Sequence, residues 1–75
     1  MTNYYIFAGT RFATFGGIHD FFGTHTIFQA KHLMENDYVD EYEWCQIVEQ
    51  DSMKMIILGK NEGNGWQWME LHHGH

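Results

Sequence analysis

The sequence holds no proline, one cysteine, one serine and only four basic side chains in 75 residues. Without proline, turns fall to the eight glycines and to Asn and Asp, the residues that reach the backbone conformations turns need. With Cys45 alone, no intrachain disulfide can form, which excludes a disulfide-stapled scaffold. Ser52 is the lone serine, and no Gly-x-Ser-x-Gly elbow surrounds it. The cations Arg11, Lys31, Lys54 and Lys60 face ten carboxylates, for a formal net charge of −6. A chain this acidic repels phosphate backbones, which argues against general DNA or RNA binding. Apolar runs such as Met55 to Leu58 fall far short of the ~20 residues that span a bilayer. No signal-peptide pattern is read, so the expected location is the cytoplasm, with no membrane partner.

What the chain does have is aromatic surface. Six Phe, four Tyr and three Trp make up 17% of it, and apolar residues make up 44%. A domain this short has a thin core, and such domains often gain stability by associating. One thin core does not readily hide so many rings, and aromatics concentrate at subunit interfaces and ligand sites. A homo-oligomer is the expectation. Residues 1–71 read as one domain, and 72–75 as a tail.

Asn3 to Gly9 is dominated by aromatic and β-branched residues and reads as a strand, with Tyr4, Ile6 and Ala8 on one face and Tyr5 and Phe7 on the other. Thr10 to Gly23 shows neither strand nor helix period. It reads as a structured loop, with a short strand over 11–15 as a variant. Thr26-Ile27-Phe28-Gln29 matches a capping box, and Ile27, Ala30, Leu33 and Met34 then follow at helical spacing. Asn36-Asp37 ends that helix. Phe28 falls at the edge of the apolar stripe, as a core-margin residue or an outside contact. Glu41 to Glu49 alternates like a strand, Gln50 to Ser52 reads as a turn, and Met53 to Gly59 as the second arm of a hairpin. The Asn64-Gly65 pair favours a tight turn before a last strand from Trp66 to Leu71. The order β-loop-α-β-β-β predicts an α+β fold, with one helix packed on a three- to four-stranded, mostly antiparallel sheet.

Tyr4-Tyr5-Ile6-Phe7-Ala8-Gly9, Gly16-Gly17-Ile18-His19-Asp20, the Thr-capped helix and Glu43-Trp44-Cys45-Gln46-Ile47-Val48-Glu49 resemble, together, a group of short uncharacterised bacteriophage and bacterial proteins. Their pattern is a strand, a Gly-Gly-x-x-Asp loop, a helix and a Trp-x-x-Ile-Val strand. The resemblance covers about residues 4 to 59. Glu49 stands where an Asp is common, and Trp66 to Leu71 extends beyond the pattern. No activity is transferred. The resemblance implies a phage-like origin and a host cytosol as the place of action, where small non-virion proteins often counter a host system by binding.

Residue chemistry points the same way. The chain offers no nucleophile, base and orienter set, and a mid-strand Cys45 reads as a buried structural thiol. His72, His73 and His75 lack a fixed framework for a metal, and His25 and His32 are not spaced as a zinc pair. The expectation is a non-enzyme without cofactor or metal. The informative segment holds Arg11, Phe12, Phe15, Gly16, Gly17, His19 and Asp20. Gly16 and Gly17 can present backbone N–H groups to an anion, and Arg11 can meet a phosphate. Phe12, Phe15 or Trp66 can stack a base, and Asp20 can accept from a ribose hydroxyl or cap the loop. The same residues can also form a loop that packs on itself with no ligand.

Two functions follow. One is an oligomeric phage-type counter-defence protein that sequesters a small nucleotide-derived signal. The other is an acidic inhibitor that docks on a host defence protein, masking a nucleic-acid site. The inhibitor needs Asp40, Glu41, Glu43, Glu49 and Asp51 along one exposed face. The sponge needs Arg11, Lys31, Lys54 or Lys60 converging near aromatic rings.

Overall fold

A computed structural model describes residues 2–11 and 17–71. Five strands, β1 (Tyr4–Gly9), β2 (Phe21–His25), β3 (Trp44–Val48), β4 (Met55–Asn61) and β5 (Trp66–Glu70), form one sheet in the order β2-β1-β3-β4-β5. Every neighbouring pair runs antiparallel. One helix, α1 (Ile27–His32), continues as a π-helical turn over Leu33–Asp37 and packs on one face. The α+β class and the one α-helix are as expected, but among the described residues the strands number five, not three or four.

The added strand is β2, part of it within the segment that reads as a loop. Its alternation is broken by Gly23, at φ 154°, and by a register shift opposite Ile6 and Phe7. That irregularity hides a period of two while leaving the ladder to β1 intact. The variant with a short strand over 11–15 falls largely outside the described residues.

The helix begins as its sequence dictates. The Gln29 N–H donates to Thr26 Oγ1 at 3.1 Å, and the Thr26 N–H donates to Gln29 Oε1 at 3.1 Å. Its end widens for a local reason. The Asn36 side-chain amide donates to the His32 carbonyl at 2.9 Å, the acceptor an α-helical Asn36 N–H would use. Beyond it, the Tyr38 N–H reaches back five residues to the Leu33 carbonyl.

Ala30 and Met34 pack against Ile6, Ala8, Cys45, Ile47 and Ile57 to form the core. The register makes this one face of the sheet, because cross-strand partners share a face. The opposite face carries Phe21, Thr24, Tyr5, Phe7, Trp44, Gln46, Leu58, Lys60, Gln67 and Met69 at its strand positions, with Val48 buried at its end. The β3–β4 hairpin turns with Met53 at φ 59° and with Ser52 Oγ donating to Glu49 Oε1 at 2.6 Å.

Candidate functional site

Gly9 ends β1 directly opposite Trp44, the first residue of β3. A side chain at Gly9 would stand 2.7 Å from Trp44 Cζ2 and 3.0 Å from Cε2. The missing Cβ therefore lets the half-buried indole lie against the strand backbone. Lys60 is the cross-strand partner of Trp44 on the other side, on the same open face. Glu43 ties the end of the sheet together. Its N–H donates to the Gly9 carbonyl at 2.8 Å, and its carbonyl accepts the Asn61 N–H at 2.9 Å.

The Glu43 carboxylate then positions Arg11. Oε1 accepts the Arg11 backbone N–H at 2.9 Å, and Oε2 meets Nη2 at 3.5 Å. The arginine side chain is still 72% exposed, so the guanidinium is held in place while facing solvent. Arg11, Glu43, Trp44, Lys60, Asn61 and Glu62 line an open cleft of about 200 Å³. Two of the four basic residues thus converge on one indole.

Lys31 stands over a different indole, with Nζ 5.7 Å from the centre of Trp68. Trp68 also donates from Nε1 to Glu35 Oε2 at 3.0 Å. The acidic residues are divided. Asp40, Glu41 and Glu43 precede β3 while Glu49 and Asp51 follow it, and five strand residues span ~17 Å. They lie at the two ends of β3.

Of the other residues singled out from sequence, those described lie in two places, the turn before β2 and strand β5. Phe12, Phe15 and Gly16 lie outside the described residues. Gly17, His19 and Asp20 form a 3-10 turn, with His19 exposed and Asp20 buried. His19 and Asp20 share a cleft of about 190 Å³ with Thr10, Phe22 and Tyr42. The Tyr42 hydroxyl there is held above its ordinary pKa by burial first, and then by Glu41 and Tyr38. Trp66 stands on β5, at the edge opposite β2, stacked on Trp68 with centroids 5.4 Å apart. Register puts it on the helix face, across the sheet from Trp44 and Lys60. Sequence alone does not mark Trp44 and Glu43 as site residues, because their role depends on Gly9, which only the fold brings opposite.

A third cleft, about 370 Å³, runs along α1 between His25, Phe28, Gln29, His32 and Leu33. Phe28 is 77% exposed and stacks on His32, so it is no part of the core. Burial pushes the Cys45 thiol up to about 12. Among the described residues, no three His, Cys, Asp or Glu side chains are grouped to hold a metal, and no helix is long and apolar enough to cross a membrane. No family model, curated protein or solved structure matches the chain.

Proposed function

We propose that the protein is a non-enzymatic binding protein for a small nucleotide-derived anion, held at Arg11, Trp44 and Lys60. One observation supports this reading: in a chain of net charge −6, two of the four cations line one cleft together with an indole. An indole stacks flat heterocycles, worth ~1–3 kcal/mol per base. A guanidinium and an ammonium on either side supply charge-assisted hydrogen bonds to a phosphate. Glu43 orients the guanidinium. The resemblance to short phage proteins gives such binding a use, the withdrawal of a nucleotide signal from a host. An acidic inhibitor is less well supported, since the two carboxylate groups sit at opposite ends of β3.

Titration calorimetry with cyclic dinucleotides and ADP-ribose at low salt tests the proposal. Micromolar binding, about −8 kcal/mol, is expected, weakening at least about tenfold in Lys60→Ala and in Arg11→Ala. Raising the salt should weaken it further, because the cleft is open. Absence of heat with every one of these ligands would overturn the reading in favour of the inhibitor.

A further inference from the structure

We infer that a second copy of this chain covers the open face of the sheet. The inference does not rest on the ligand reading. An antiparallel sheet with one solvated side normally alternates apolar in and polar out. Here the side away from the helix sets Phe21, Tyr5, Phe7, Leu58 and Met69 among only Thr24, Gln46, Gln67 and Lys60 as polar strand residues, with Val48 already buried. Phe21 packs edge-on against both Tyr5 and Phe7, at 6.0 and 5.6 Å between centroids, and still leaves 39% of its surface exposed. Met69 leaves 57% exposed.

Charge identifies the occupant. None of the ten carboxylates stands at a strand position of this face. They occupy the 3-10 turn, the π-helical turn, the turns at the ends of β3 and β4, and the helix-side position of Glu70. Lys60 is the face's one charged strand residue. Two molecules of charge −6 repel each other on most approaches, and on this face they meet without opposing carboxylates at the strand positions. A basic partner would be drawn instead to the acidic turns.

Size agrees. Five strands at ~4.8 Å and five residues at ~3.4 Å give a footprint of roughly 400 Å². That is the range of functional patches on small proteins, and two such faces meeting bury roughly 800 Å², the size of a weak, reversible contact. Sheets packed face to face about 10 Å apart are an ordinary solution, and a two-fold axis closes the pair.

Sedimentation velocity on the full chain, from about 5 to about 500 μM, tests the inference. The expected result is reversible growth from 8.9 kDa to twice that mass. Met69→Glu and Phe21→Glu change exposed residues on the two edge strands and should each weaken association at least about tenfold with unchanged circular dichroism. Phe28→Glu, on the helix, should leave it unchanged. A mass of 8.9 kDa at every concentration would overturn the proposal, as would dissociation by Phe28→Glu alone. Co-sedimentation of a persistent monomer with phosphatidylcholine vesicles would assign the face to a lipid surface instead.

Discussion

Cys45 shows how much one buried side chain ties to solution conditions. Its thiol ionises near 9.0 in an open chain and at about 12 in the fold. The folded pKa is raised, so below 9.0 both states keep the proton and the contribution is whole. As the pH climbs from 9.0 toward 12, the unfolded chain loses the proton first and stability falls. The drop should approach roughly 4 kcal/mol across that window. Tyr42 adds to it with the same sign, since its pKa is also raised. Urea unfolding at stepped pH is the measurement. A Cys45→Ala variant, less stable overall, should decline less steeply over the same range, and an identical slope would contradict the assignment. Glycine acts by absence. A methyl group at Gly59 would stand 2.4 Å from Trp68 Cζ3, so Gly59→Ala should cost about 1–3 kcal/mol by denaturant unfolding. An unchanged midpoint would mean that the indole moves aside freely. Neither glycine–indole pair is visible along the chain, because Gly9 meets Trp44 and Gly59 meets Trp68 only once the strands are in register.

At the scale of the element, the helix is the most legible part of the sequence. Thr26 and Gln29 lie within one turn of each other, and their reciprocal bonds need nothing from the rest of the fold. Thr26→Ala should therefore cost about 1 kcal/mol, read as a lower midpoint in urea, while Thr26→Ser should recover most of it. Equal midpoints for the parent chain and the Thr26→Ala variant would show that packing alone sets the helix start. The strands β3, β4 and β5 are legible for a similar reason, since their alternation and turns are local, although β4 begins two residues later than Met53 and runs on to Asn61. β2 is not legible. Its Gly23 and register shift disrupt the alternation, and what makes it a strand is the ladder offered by β1. The π-helical turn is also hidden, since Asn36 reads as a helix stop until its amide is seen on the His32 carbonyl.

For the whole molecule, the sequence implies an α+β domain, and the order of the five strands comes from the fold. The candidate site shows the same divide. Arg11 and Lys60 are visible as two of four cations, but their convergence on Trp44 comes from β1, β3 and β4 lying side by side. β1 lies between β2 and β3, and Gly9 and Trp44 are separated by most of the loop and helix. Such a topology has consequences on the ribosome. The first strand to be synthesised must wait for Trp44 to Val48 before it gains its second neighbour. At about 5–20 residues per second, that is a delay of seconds. During it, Tyr4 to Ala8, an aromatic run without a charge, has only β2 to pair with. The β3–β4–β5 meander, made of contacts close in the chain, closes without such a wait. A nascent chain of this protein is thus most exposed to misassociation before its middle third has emerged, and the last strands made are among the quickest to find their places.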